Sequence, residues 1–129
     1  MTKQTKSMST PLSRARGLGS AKSGLHHWWH QRVSAVAMVG LVSWMVVLLF
    51  SLADADYLTA LNTLAHPVNA TVMVLFVAVG LWHASLGLQV VLEDYVANEG
   101  VRLIAILAVK MAASVTAILA ILSVLKVAL

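Results

Sequence analysis

The chain has 129 residues, of which 60% are hydrophobic and only 11% are charged. A soluble domain carries about 25% charged residues, so this sequence has too few charges to cover a surface in water and predicts lipid as its solvent. The sequence contains no cysteine, which excludes disulfides, thiolate-ligated haem and iron–sulfur clusters held by this chain.

The N-terminal segment, residues 1–24, is rich in Ser, Thr, Gly and basic residues and predicts an extended or mobile cytoplasmic tail. Six of the nine Lys and Arg residues precede the first apolar run, and no acid appears before Asp54. This distribution marks the cytoplasmic end of a membrane protein, so the formal net charge of +4 indicates topology and no nucleic-acid partner. A cleaved secretory signal is not expected, because its basic region is short, whereas a mitochondrial transit peptide remains an alternative.

The rest of the chain, residues 25–129, predicts an all-α membrane domain with three transmembrane helices. About 20 apolar residues, rising about 1.5 Å each, cross a hydrocarbon core about 30 Å thick. Helix is the expected conformation because lipid offers no hydrogen-bond partner to the backbone. The spans are predicted at about 33–53, 68–92 and 103–125.

The charges between the spans predict their orientation. The first loop, Asp54–Pro67, contains two acids and neither Lys nor Arg, in contrast to the basic N-terminal segment. By the positive-inside rule the N-terminus is cytoplasmic and the first loop is outside. The second loop, Glu93–Arg102, is then cytoplasmic.

His83 lies within the second span, about 15 Å along the helix from Glu93. An ionisable side chain inside a span is costly and usually marks a functional site. Gly80 and Gly87 flank His83 on one helix face, where they would admit a flat macrocycle whose iron binds the imidazole. The alternative is a small-residue helix contact in which His83 forms an interhelical hydrogen bond. The residues by themselves favour neither interpretation.

Asp94 and Tyr95 lie at the cytoplasmic end of the same span. Eleven residues separate His83 from Asp94, which places them within about 20° on one helix stripe. A phenol can donate a hydrogen bond to a carbonyl, and an adjacent carboxylate can orient it or relay protons. The alternative, in which Tyr95 is an interfacial aromatic residue and Asp94 ends the helix, is favoured by the residues alone.

The segment His26–Arg32 places three histidines and an arginine beside the first span. Arg forms forked hydrogen bonds with carboxylates such as haem propionates. Contact with anionic lipid headgroups is the alternative. In the third span, Lys110 either extends its ammonium group toward the interface or pairs within the bundle.

The stretch Trp82–Val96 resembles the second-helix signature of the smaller, D-type membrane anchor of succinate dehydrogenase. The shared pattern is H-A-x-x-G-x-x-x-V-x-x-D-Y, with His83 eleven residues before Asp94 and Tyr95. The segments 17–24 and His26–Arg32 also resemble the alphaproteobacterial and mitochondrial-type anchors.

The resemblance implies a role for each matching residue. His83 matches an axial ligand of haem b, and Tyr95 matches the tyrosine that hydrogen-bonds ubiquinone, with Asp94 as its acidic neighbour. Arg32 matches an arginine near the haem propionates and the quinone pocket. His26 matches a propionate-contacting histidine more loosely, since His27 and His30 are alternatives.

The resemblance also implies partners and a location. A second haem ligand is expected from a C-type anchor subunit, which gives a six-helix heterodimeric bundle of which this chain is half. Iron–sulfur and flavoprotein subunits are expected on the cytoplasmic side, so no catalysis is expected from this chain alone. The expected location is the bacterial inner membrane, with the mitochondrial inner membrane as the alternative.

Two other functions compete with the anchor. One is a homodimeric haem protein that carries electrons without a flavoprotein. The other is a small bundle that moves protons through Lys110 and His83 and holds no haem.

Overall fold

The computed structural model describes residues 10–16 and 24–129, and the part of the chain that it describes is all-helical. Three of the helices, with 29, 29 and 30 residues, are long and apolar enough to cross a membrane. This confirms the predicted all-α fold with three helices of spanning length. The helices are α1 (Pro11–Ala15), α2 (Gly24–Leu52), α3 (Tyr57–Ala65), α4 (Pro67–Tyr95) and α5 (Glu99–Ala128).

Most of the predicted tail, residues 1–24, lies outside the described residues. Its described part contains α1, a five-residue helix in the tail that the sequence predicted to be extended or mobile. Pro11 begins this helix, at a position where the missing N–H of proline is tolerated and its φ is already helical. The N–H of Arg16 donates to the carbonyl of Leu12 at 3.0 Å and closes the turn.

The three long helices extend beyond the predicted spans. A helix of 29 residues is about 44 Å long, which exceeds a hydrocarbon core of about 30 Å. The apolar runs mark the part of each helix that lipid can surround. The polar residues on either side of a run continue the helix, because they include no residue that breaks it. The second loop is therefore only residues 96–98, much shorter than the predicted Glu93–Arg102.

The first loop contains α3, a helix that the sequence analysis did not predict. Asp56 caps its start and accepts a hydrogen bond from the N–H of Thr59 at 3.3 Å. His66 ends α3 and begins α4, and Pro67 takes the first position of α4. Asn69 holds α3 against α4, because its Nδ2 donates to the carbonyl of Thr63 at 2.8 Å.

α4 is the central helix and packs against both α2 and α5. Contacts between α2 and α4 pair Gln31 with Gly87, Met38 with Gly80 and Trp44 with Asn69. The residue number rises along α2 as it falls along α4, so the two helices are antiparallel.

The described part of the chain buries few side chains within itself. Most large apolar side chains point outward from the helices. Such an exposed apolar surface is expected where lipid or another membrane chain is the neighbour. The buried residues are Ser34, Leu48, Ala70, Ser85 and Leu86.

Candidate functional site

His83 lies in the contact between α2 and α4 and is hydrogen-bonded through Nδ1. The hydroxyl oxygen of Ser34, which is buried, lies 2.9 Å from that nitrogen. The same hydroxyl lies 2.7 Å from the carbonyl oxygen of His30, one turn earlier in α2. The sequence-predicted histidine is therefore held by a polar group of the neighbouring helix.

The other imidazole nitrogen of His83 faces an amide. Nε2 of His83 lies 3.4 Å from Nε2 of Gln31, at the long end of hydrogen-bonding distance. Oε1 of Gln31 is buried and has no hydrogen-bond partner among the described residues. Among the described residues, the hydrogen-bond contact of Nε2 is therefore this long one with the Gln31 amide.

Gly80 and Gly87 face α2. A Cβ added at Gly87 would lie 3.6 Å from Nε2 of Gln31, and one added at Gly80 would lie 3.6 Å from Cε of Met38. Flexible side chains of α2 therefore cover the helix face that was predicted to admit a macrocycle. The hydrogen bond with Ser34 leaves Nε2 of His83 to other partners, whereas the Gln31 contact lies at Nε2 itself.

Gln31 and Ser34 are site residues that the sequence analysis did not single out. They share one face of α2 with His27, at spacings of four and three residues. That polar stripe on an apolar helix is the signal that would have found them. His27 is half-buried on this face, and its Nε2 has no hydrogen-bond partner among the described residues.

The Arg32 side chain is exposed and lies over an aromatic ring. Its Cζ is 5.2 Å from the centroid of the Trp28 ring, a cation–π arrangement. Because Arg32 follows Gln31 in α2, it lies at the same depth along the bundle as His83. Its guanidinium lies outside the α2–α4 contact, where a ligand or partner chain can reach it.

His26 and His30 are also exposed on α2. The ring of His30 meets the ring of Trp82 edge-on, with 6.2 Å between the centroids. The structure therefore separates the three neighbouring histidines: His27 faces α4, His30 contacts Trp82, and His26 stays on the outside. The choice of His26 as the propionate contact stays a prediction.

Asp94 and Tyr95 end α4, and both are exposed. The helix is continuous from His83 to these residues, so His83 and Asp94 can lie on one stripe of α4 as the spacing predicts. Tyr95 is about 18 Å along the axis from His83 and so does not contact it. Its side chain is 85% exposed, which leaves the phenol free to meet a ligand.

Lys110 lines a groove of about 320 Å³ between α4 and α5. Polar and aromatic side chains of α4, Ser85 and Trp82, form part of the same wall. The Lys110 side chain is exposed, so its ammonium can extend along the groove toward the interface.

The donor set at His83 suits haem better than a free metal ion. Among the described residues, no three side chains of His, Asp or Glu come close enough to hold an ion. A porphyrin brings its own four nitrogen ligands, so one imidazole from this chain suffices as an axial ligand. Ser34 supplies the outer hydrogen bond that metal-ligating histidines ordinarily make.

Comparison with known proteins identifies the family. Residues 6–117 match the succinate dehydrogenase/fumarate reductase transmembrane subunit family. The chain is 36% identical over 100 residues to the succinate dehydrogenase hydrophobic membrane anchor subunit of Rickettsia bellii, covering 78% of this chain and 80% of that one. With the subunit of the same name from Paracoccus denitrificans it shares 34% identity over 86 residues, or 67% of each chain. No solved structure matches.

A third relative has a similar name. The succinate dehydrogenase membrane anchor subunit of Reclinomonas americana is 29% identical over 99 residues, covering 71% of this chain and 79% of its own. The family match includes α2, α3, α4 and most of α5, and it confirms the resemblance found in Trp82–Val96. The chain belongs to the succinate dehydrogenase/fumarate reductase transmembrane subunit family.

Proposed function

We propose that this chain is the membrane anchor of a succinate:ubiquinone oxidoreductase, that it binds haem b with a second anchor chain, and that it helps to form the ubiquinone-reduction site. The names of its relatives support the anchor role. The observation that carries the haem assignment is the His83 imidazole, which is hydrogen-bonded at Nδ1 and whose Nε2 has a long contact with the Gln31 amide as its hydrogen bond among the described residues.

A second histidine from a partner chain completes the proposed haem ligation. His83 is the one histidine in the interior of α4 or α5, and those of α2 lie nearer the end of their helix. A C-type anchor with three spans would cover the exposed apolar faces and form a six-helix bundle. Haem b, when bound there, supplies one-electron redox chemistry.

The residues at the cytoplasmic mouth suit quinone reduction. Ubiquinone takes up two electrons and two protons to become ubiquinol. In this proposal the exposed Tyr95 phenol donates a hydrogen bond to a quinone carbonyl, and Asp94 beside it orients the phenol or passes protons from water. Arg32 is proposed to form forked hydrogen bonds with haem propionates, which its exposed position at the depth of His83 supports, with His26 nearby on the same helix.

The electrons come from the partner subunits. Oxidation of succinate to fumarate releases two electrons and two protons in the flavoprotein, and the iron–sulfur subunit carries the electrons to the anchor. This chain performs no part of succinate oxidation. The proposed setting is the bacterial inner membrane, with the N-terminus on the cytoplasmic side because the basic residues precede the first span.

The test is purification of the complex through a tag on this chain, followed by a reduced-minus-oxidised visible spectrum. The expected result is a low-spin b-type spectrum together with a flavoprotein, an iron–sulfur protein and a second anchor. His83→Ala should remove or weaken that spectrum while the partners are retained. His66→Ala is the matched control, because His66 is exposed in the first loop.

Each part of the proposal has its own contrary result. A chain that purifies without a flavoprotein would overturn the anchor role. A complex with all four subunits and an unchanged spectrum in His83→Ala would overturn the ligand assignment and leave the anchor role intact.

A further inference from the structure

The hydrogen of the Ser34 hydroxyl is committed to its own helix. A serine hydroxyl has one hydrogen to donate and two lone pairs to accept with. The carbonyl of His30, at 2.7 Å, is the nearest acceptor, and the carbonyl of Gln31 lies at 3.1 Å. The hydroxyl oxygen of Ser34 therefore accepts a hydrogen bond from Nδ1 of His83, 2.9 Å away, and Nδ1 carries the proton.

The contact on the other side of the ring is compatible with the same tautomer. The amide nitrogen of Gln31 is a donor and has no lone pair to offer. It faces Nε2 of His83 at 3.4 Å, and an unprotonated Nε2 can accept from it. The Gln31 contact is therefore compatible with the tautomer that the Ser34 hydroxyl selects, in which the proton is on Nδ1.

We infer that Ser34 is a positioning residue that keeps His83 in the Nδ1-protonated tautomer, with Nε2 free for haem iron, and that Gln31 occupies Nε2 until the iron displaces it. This inference rests on the proposed haem-binding function. The Gln31 contact is long, and its amide oxygen is buried without a partner among the described residues. Displacing the Gln31 side chain therefore costs little hydrogen-bond energy, whereas the short Ser34 contact persists when iron binds.

The consequence is a specific tuning of the haem. An acceptor on Nδ1–H increases the basicity of the imidazole and fixes the plane of its ring. A more basic axial ligand stabilises ferric over ferrous iron, so it lowers the reduction potential. Ser34→Ala removes the acceptor. It should raise the haem midpoint potential and weaken haem retention by about 10–100-fold, the usual cost of losing such a partner.

The chain offers a matched control and a rescue. Ser43 in α2 donates to the carbonyl of Val39 at 2.8 Å, the same bond within the helix, but its side chain is exposed. Ser43→Ala therefore removes a comparable helical hydrogen bond and should leave the haem unchanged. Ser34→Thr keeps a hydroxyl that can accept from Nδ1–H, so it should restore the potential toward that of the wild type.

Gln31→Leu tests the second part of the inference. It keeps an apolar stem of similar length and removes the amide that faces Nε2. Haem retention should equal or exceed that of the wild type, because haem no longer has to displace a hydrogen bond. Haem loss as large as that in Ser34→Ala would overturn the role given to Gln31.

The experiment is a redox titration of the haem in the purified complex, with haem per flavin as the second readout. A raised potential in Ser34→Ala, restored in Ser34→Thr and absent from Ser43→Ala, is the expected result. An unchanged potential and haem content in Ser34→Ala would overturn the inference while the haem assignment stands. A wild-type complex that contains its partners and no haem would overturn the haem part of the proposed function and this inference with it.

Discussion

The hydroxyl oxygen of Ser34 lies 2.9 Å from Nδ1 of His83, across the contact between α2 and α4. This contact joins residues that are 49 positions apart in the sequence. It brings a polar group of α2 against His83, the histidine of α4 that the sequence singled out. A hydrogen bond in this setting orients the ring as well as joining two helices. The contact explains why an interhelical role and a ligand role for His83 need not compete.

Tyr95→Phe should impair quinone reduction and spare succinate oxidation measured with an artificial dye. The substitution removes the hydroxyl that is proposed to donate to the quinone and keeps the ring. Loss of one catalytic hydrogen bond typically costs about 10²–10³-fold in turnover when it stabilises developing charge. The measurement is the ratio of quinone to dye activity in the purified complex.

Tyr57→Phe is the control for that experiment. Tyr57 is also exposed, at 77%, but it begins α3 in the first loop, away from Asp94 and Tyr95. Its quinone-to-dye ratio should match that of the wild type. An equal fall of both activities in Tyr95→Phe would indicate failed assembly and contradict a quinone role.

Gly80→Leu should destabilise the contact between α2 and α4. A Cβ at Gly80 would meet the Met38 side chain at 3.6 Å, so alanine fits but a larger side chain must push the helices apart. Overpacking of this kind costs about 1–3 kcal/mol. The measurement is the thermal midpoint of the complex in detergent.

Gly40→Leu serves as the comparison, because an added Cβ there meets nothing within 4 Å in the described part of the chain. It should shift the midpoint less than Gly80→Leu does. The reverse order would contradict the helix contact described here.

Asn69→Ala should loosen the end of the bundle that contains α3. Oδ1 of Asn69 accepts from Nε1 of Trp44 at 3.1 Å, and its Nδ2 donates to the carbonyl of Thr63 at 2.8 Å. One side chain thus ties α2 and α3 to α4, and its removal should cost about 1–3 kcal/mol. Limited proteolysis of the first loop reports the loss, with Asn62→Ala, on an exposed part of α3, as the control.

The start of α3 should respond to acid. Hydrogen bonds from the Thr59 hydroxyl and backbone N–H lower the pKa of Asp56 from its ordinary value. The carboxylate form is therefore favoured in the folded chain. The contribution of this carboxylate to the stability of the fold is complete above the unfolded-state pKa of about 3.9 and is lost as the pH falls below that pKa.

The amide resonance of Thr59 checks that prediction between neutral pH and about pH 3, a range that spans the ordinary carboxyl value. It should shift as Asp56 becomes protonated. Asp56→Asn keeps an oxygen that can cap the helix, so it should hold α3 without this pH dependence. A shift that persists in Asp56→Asn would assign the titration to another group.

The sequence by itself determined the fold class, the three helices and the family. Long apolar runs allow no other conformation in lipid, and the spacing of His83, Asp94 and Tyr95 identifies the anchor. These properties depend on the order of residues along single helices. The short α3 was missed because its nine residues lie in the loop between two spans, where packing against α4 and α5 supports the helix.

Only the tertiary structure decided what surrounds His83. Gln31 and Ser34 come more than 45 residues earlier, and their approach depends on the antiparallel register of α2 and α4. The same register places Arg32 at the depth of the histidine, a relationship that its position in the sequence, as the last charge before the first span, does not give. Periodicity predicts the face on which a side chain lies, but the partner on that face is set by how two helices pack.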